Sequence, residues 1–175
     1  LMMMAGTQQL WAQVVPGNLM SRIAALPIYR VPDVPAPQVE NARYANLGCF
    51  RDAAVYTCGV GPCVVLILLD RRTGEQFFAH VGAPFTLDGA PLLGWTDTEA
   101  VLVGGWRSMS EQIIASILRF LDRQGVERIS RFHLMDRQGE IGGPVALSVI
   151  SAVIKTEDGF ALHLDVSEEC PDYER

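Results

Sequence analysis

The stretch Cys63-Val64-Val65-Leu66-Ile67-Leu68-Leu69, then Asp70-Arg71-Arg72-Thr73-Gly74, then Glu75-Gln76-Phe77-Phe78-Ala79-His80-Val81 decides the fold. Cys63–Leu69 is an almost continuous apolar run of strand length, the pattern of a strand buried on both faces. The residues from Asp70 to Gly74 carry turn chemistry, and Glu75–Val81 reads as a returning strand. Antiparallel pairing brings the start of one strand beside the end of the next. Cys63 and His80 therefore become neighbours through hairpin geometry alone.

Upstream, Ala53–Thr57 reads as a strand and Cys58-Gly59-Val60-Gly61-Pro62 as a tight loop. Gly59 and Gly61 permit positive φ, and Pro62 cannot donate to a ladder. Downstream, Asp88–Asp97 is a loop and Glu99–Val103 a short strand. Ser108-Met109-Ser110-Glu111 has capping-box spacing, with Ser108 as N-cap and Glu111 at the third helical position. Ile113, Ile114, Ile117, Leu118 and Leu121 then recur at helical spacing until Gly125 stops the helix. Val126–Met135 reads as a strand, and Val145–Lys155 and Phe160–Val166 flank the hairpin signal Asp158-Gly159. The expected fold class is α+β, a mostly antiparallel sheet or sandwich core with packed helices. Pro16, Pro27, Pro32, Pro35 and Pro37 are half of the 10 prolines. Residues 1–48 accordingly read as a Pro-rich arm, with short structured pieces near Leu10–Val15 and Leu19–Leu26. Residues 49–175 read as a single domain whose core begins near Arg51.

The 175 residues, 49% hydrophobic and 19% charged, suit one folded domain rather than a disordered chain. A net charge of −6 and a pI near 5.0 argue against nonspecific binding to nucleic acid or to an anionic membrane. No apolar run approaches the roughly 20 residues needed to span a bilayer, so no membrane insertion is expected. Leu1-Met2-Met3-Met4 shows neither a basic n-region nor an apolar h-region, so no secretory signal is read there. The cysteines Cys49, Cys58, Cys63 and Cys170 form no CxxC pair and are too few for a disulfide scaffold. That usage suits a reducing, cytoplasmic compartment.

Chemistry concentrates at Tyr56–Cys63 and at His80. A cysteine becomes a nucleophile when imidazolium, dipoles or backbone donors stabilise its thiolate. Cys63 follows a loop in which the N–H groups around Gly59 and Gly61 could face an oxyanion, though Pro62 removes one donor. His80 is placed to take the thiol proton and return it to a leaving amine. Thr57, ending the preceding strand, could orient the ring. The competing reading makes Cys63 a packing residue and His80 a satisfied core histidine. Cys49, Cys58, Cys63 and His80 are metal-ligand types, but they lack the short paired spacing of zinc knuckles. A Cys58–Cys63 disulfide is a further option that a reducing compartment opposes. His133 and His163 read as structural or exposed, Asp136-Arg137 as a turn, and Trp95 and Trp106 as packing residues or cleft walls. No cofactor is expected.

This segment resembles the CheD-type chemoreceptor glutamine deamidases. Gly59-Val60-Gly61-Pro62-Cys63 stands where that family has a Gly-rich loop entering an apolar strand, and Ala79-His80 where its return strand ends. Thr57, Cys63 and His80 keep the family's Thr–Cys–His spacing. Gly104-Gly105 before a helix and Gln124-Gly125-Val126 after it look like the family's later segments, and the similarity runs from about Arg51 to Met135. Pro62 departs from the family's Ser, and Gly142-Gly143-Pro144 lacks the Arg of its later Gly-rich stretch. The related cytotoxic necrotizing factor-like toxins and effectors use a similar Cys–His pair. The resemblance implies a CheD-like or cytotoxic necrotizing factor-like fold. It also implies a deamidase that converts glutamine in a protein target to glutamate through a thioester on Cys63. An effector secreted into a host cell is then the alternative to cytoplasmic residence. Another Cys–His acyl-transfer enzyme, such as a cysteine protease or transglutaminase, and a noncatalytic binding module remain open.

Overall fold

The computed structural model describes residues 16–34, 41–83, 86–107, 109–139 and 146–170. Its elements are α1 (Pro16–Ala25), β1 (Arg43–Tyr44), β2 (Leu47–Arg51), β3 (Ala54–Val60), β4 (Val64–Asp70), β5 (Glu75–Val81), β6 (Thr98–Trp106), α2 (Glu111–Gln124), β7 (Arg128–Arg137), β8 (Leu147–Thr156) and β9 (Gly159–Ser167). Five strands form one sheet in the order β2-β5-β4-β6-β7, and four form a second in the order β1-β3-β8-β9. The chain is an α+β protein with two mixed sheets. β6 and β7 pair parallel because α2 supplies the crossover that parallel neighbours need. β1 and β3 are also parallel, and the other pairs are antiparallel.

β4 shows why this sequence gives three layers. It is the middle strand of the larger sheet, and every one of its residues is buried. Its side chains alternate between two cores, as successive Cβ atoms of a strand must. Val64, Leu66 and Leu68 join the core built with Ile113, Ile114, Ile117, Leu118 and Leu121 of α2. Val65, Ile67 and Leu69 join the core shared with Val55, Val149, Leu162 and Leu164 of the second sheet. The larger sheet thus lies between the helices and the second sheet.

β5 alternates in the same way, with Phe77, Ala79 and Val81 on the helix side and Phe78 between the sheets. Gln76 and His80 share the face of Phe78 and carry polar contacts across the sandwich. Gln76 Nε2 donates to the carbonyls of Ala53 and Ser151, while Ser151 Oγ donates to Gln76 Oε1 at 2.8 Å. At that same pole the turns of the two hairpins meet. A Cβ on Gly74 would fall 2.8 Å from the Phe160 ring, and one on Gly159 would fall 2.9 Å from the Arg71 carbonyl oxygen.

Three differences from the sequence reading have clear causes. Leu19 and Ile23 of α1 are buried in the helix-side core, and β2 runs through the boundary drawn between 48 and 49. Helical spacing of apolar residues in this segment seats it on α2, where Arg22 also pairs with Asp122 at 2.9 Å. The expected piece at Leu10–Val15 lies outside the described residues. Helix α2 begins at Glu111, with Ser110 rather than Ser108 in the N-cap position, and Ser108 itself is outside the described residues. Gly125 ends α2 as expected, in the left-handed conformation with φ +73°. Among the described residues no helix is long and apolar enough to cross a membrane.

Candidate active site

Thr57 and His80 meet between the sheets at the pole opposite the hairpin turns. Thr57 is fully buried, and its Oγ1 lies 2.9 Å from His80 Nδ1. The same hydroxyl donates to Asn46 Oδ1 at 2.7 Å. A hydroxyl has one proton, so with that proton on Asn46 it can only accept from the imidazole. His80 is thereby held as the Nδ1–H tautomer, leaving Nε2 with a free lone pair. Asn46 grips the histidine a second time, since its carbonyl accepts from the His80 backbone N–H at 2.8 Å.

Cys63 immediately precedes β4 and is half-buried, with a free thiol. The register sets His80 opposite Val65, not opposite Cys63. The pleat that sends Val65 between the sheets puts Cys63, two residues earlier, on the same face and one diagonal from His80. Diagonal neighbours in an antiparallel pair lie about 7–8 Å apart, within reach of aromatic and long side chains. No hydrogen bond joins the Cys63 thiol to His80 in this structure, so the register puts the two one diagonal apart without bringing them into contact.

The segment expected to be a loop from Cys58 to Pro62 is partly strand: β3 continues through a register break to Val60, so only Gly61 and Pro62 turn. Its shape depends on contacts that only glycine allows. Gly59 has φ +72°, at the point where the β3–β8 register breaks after Thr57. A Cβ on Gly61 would lie 2.9 Å from Trp106 Cζ2, so the indole packs on the loop. Gly104, at φ +87°, faces Val60, and a Cβ there would stand 2.6 Å from Val60 Cγ1. The N–H of Gly61 donates to the Gly59 carbonyl at 3.0 Å, which removes it from the expected oxyanion donors. Pro62 has no N–H to give. Ser110 Oγ donates to the Pro62 carbonyl at 2.6 Å and accepts from the Trp106 N–H at 2.7 Å.

Burial sets the protonation of the pair. It pushes the Cys63 thiol above its ordinary value and the His80 imidazole below its own. Both shifts favour a neutral thiol beside a neutral imidazole over a preformed thiolate–imidazolium pair. The chemistry available is general-base activation, in which Nε2 accepts the thiol proton as sulfur attacks.

The cysteine reading is corrected at two positions. Cys58 and Cys170 form a disulfide across 112 residues of sequence. The bond was not legible from spacing because the fold, not local sequence, brings the end of β9 to β3. It also takes Cys58 out of the four metal-ligand types, Cys49, Cys58, Cys63 and His80. Cys49 is exposed on the edge strand β2. His133 is exposed and bonded to Asp136 at 3.2 Å. It and Met135 have positive φ, +49° and +54°, where the β6–β7 register breaks. A cleft of about 120 Å³ opens there, lined by Gly105, His133, Arg137, Leu147 and Glu168 among others. Trp95 is packed against the helix-side core.

Asn46 is the site residue that the sequence did not reveal. It lies in the segment read as an arm, and no motif marks it; only the placement of β1 and β2 brings it to Thr57. No family model matches the chain, and no curated protein matches it.

Proposed function

We propose that this protein is a cysteine-dependent protein-glutamine deamidase with a CheD-like or cytotoxic necrotizing factor-like fold. The observation that carries the reading is the Asn46–Thr57–His80 chain of hydrogen bonds. It leaves a bare imidazole nitrogen on the sheet face that Cys63 shares. Support also comes from the Thr–Cys–His spacing and from the glycines that let Trp106 and Gly104 pack on the nucleophile loop.

In this mechanism His80 Nε2 takes the Cys63 proton while sulfur bonds to the carboxamide carbon of a glutamine side chain. The carbonyl oxygen becomes an oxyanion. His80 then protonates the nitrogen, the C–N bond breaks, and ammonia leaves a thioester. Water, losing a proton to His80, adds to the thioester and releases glutamate with the thiol restored. An amine in place of water gives transglutamination. The disulfide supports the exported-effector setting over the cytoplasmic one, because such bonds persist in oxidising compartments. The partner is then a protein of the recipient cell bearing a reactive glutamine.

The raised Cys63 thiol is also what an inert buried cysteine shows, so the noncatalytic module is the second reading. The deciding experiment is mass spectrometry of candidate targets incubated with wild type and with Cys63→Ala. Amide-to-acid conversion without cleavage, lost in Cys63→Ala and His80→Ala while the circular dichroism spectrum is kept, supports the deamidase. Cleaved targets indicate a protease, and full activity in Cys63→Ala overturns the proposal.

A further inference from the structure

We infer that Ser110 is a positioning residue that aims the Cys63 backbone N–H as the oxyanion donor. The inference rests on the deamidase reading for its oxyanion, but it is carried by a separate set of contacts. A serine in the N-cap position ordinarily turns its oxygen to the N–H groups of the first helical turn. Ser110 stands in that position on α2, is fully buried, and makes no side-chain capping bond. Its hydroxyl is committed instead to the Trp106 N–H and to the carbonyl of Pro62, 48 residues away in sequence. The helix forgoes its cap, and the nucleophile loop is tied down.

The consequence for Cys63 follows from peptide geometry. No peptide bond among the described residues is cis. In a planar trans peptide the C=O and N–H point in opposite directions. Ser110 lies toward the helix side of the larger sheet: a Cβ on Gly105 would sit 3.0 Å from Ser110 Oγ and 3.1 Å from Val64 Cγ2, and Val64 belongs to the helix-side core. Anchoring the Pro62 carbonyl on that side turns the Cys63 N–H to the other, the face that His80 occupies. Gly61 donates within the loop and Pro62 has no donor. The N–H of Cys63 is thus the one that Ser110 delivers beside the sulfur. The Trp106 indole, packed on Gly61, holds the same loop from a second point.

The test compares two reagents on the full-length protein, with the peptide containing Cys63 followed by mass spectrometry so that Cys49 does not contribute. With iodoacetamide, the sulfur displaces iodide at a saturated carbon and no oxyanion forms. With p-nitrophenyl acetate, the sulfur adds to the carbonyl, an oxyanion develops, and its collapse expels p-nitrophenolate and leaves an acetyl thioester. Ser110→Ala should slow acetylation of Cys63 by about tenfold or more while alkylation stays within about twofold of wild type, since oxyanion donors act on the first reaction alone. Ser110→Thr, which keeps the hydroxyl, should restore acetylation. If Ser110→Ala does not fold, Ser110→Gly carries the comparison, because glycine is well accepted at an N-cap. Unchanged acetylation, or an equal fall in both reactions, overturns the inference and leaves the deamidase reading standing. A wild-type Cys63 that p-nitrophenyl acetate does not acetylate removes both.

Discussion

At the scale of single residues, the direction of one hydrogen bond governs what His80 can do. Thr57 spends its only proton on Asn46, so it must accept from Nδ1, and the reactive lone pair stays on Nε2. Thr57→Val keeps the shape but strands a buried Nδ1–H, which costs about 1–3 kcal/mol of stability. We expect activity to fall by on the order of tenfold or more, because the ring loses its fixed tautomer. Kinetics on the modified target and denaturant titration check the two effects separately. The lowered His80 pKa gives a second expectation with a definite sign. The unfolded chain binds the proton more readily, so stability is fully present above the ordinary histidine value of about 6.5 and is lost as pH falls through the lower folded value. Melting temperature measured against pH should show this decline below about 6.5, and His80→Gln should reduce it. If His80 acts as the general base proposed, the same shift should put the acid limb of that activity below about pH 6.5. The residue types Cys63, His80 and Thr57 were legible in the sequence because their spacing and strand context are local. Asn46 was not, because an asparagine before a short edge strand carries no periodicity and acquires its partners only in the fold.

At the scale of elements, the β4–β5 hairpin was the most readable part of the chain. A strand buried on both faces has an apolar residue at every position, and Val64–Leu69 shows that pattern without interruption. The start of α2 was not readable. Ser108 and Ser110 are both acceptable caps by type, and Ser110, in the N-cap position, bonds the Pro62 carbonyl rather than the helix, a contact that no local pattern encodes. The junction between β6 and α2 is tight for the same reason. Gly104 combines φ +87° with a Val60 methyl 2.6 Å from where a Cβ would stand. Gly104→Ala should therefore destabilise the protein by about 1–3 kcal/mol through backbone strain and overpacking. Because the displaced residue is Val60, which ends β3 three residues before Cys63, Cys63 acetylation should fall as well. A thermal melt paired with the p-nitrophenyl acetate assay measures both; a loss of stability with unchanged acetylation would separate the junction from the site.

At the scale of the whole molecule, the Cys58–Cys170 bond is the feature that local sequence reading could least anticipate, since its partners are 112 residues apart. Cross-links that close long loops restrict the unfolded chain most, and losing such a bond typically costs about 2–5 kcal/mol. Dithiothreitol should lower the denaturant midpoint of the wild type and leave that of Cys58→Ser/Cys170→Ser unmoved. Equal midpoints with and without reductant would show that the bond adds nothing to the fold. The tail it fastens is also held by Ser148 Oγ, which donates to the Glu169 carbonyl at 2.7 Å.

The bond also divides the proposed site topologically. Cys63, His80 and Ser110 lie inside a covalent ring that runs from Cys58 to Cys170, while Thr57, in β3, and Asn46, between β1 and β2, precede it. A single backbone cut within the ring opens the circle without releasing a fragment, so Cys63, His80, Thr57 and Asn46 stay one molecule until the sulfur bridge is reduced.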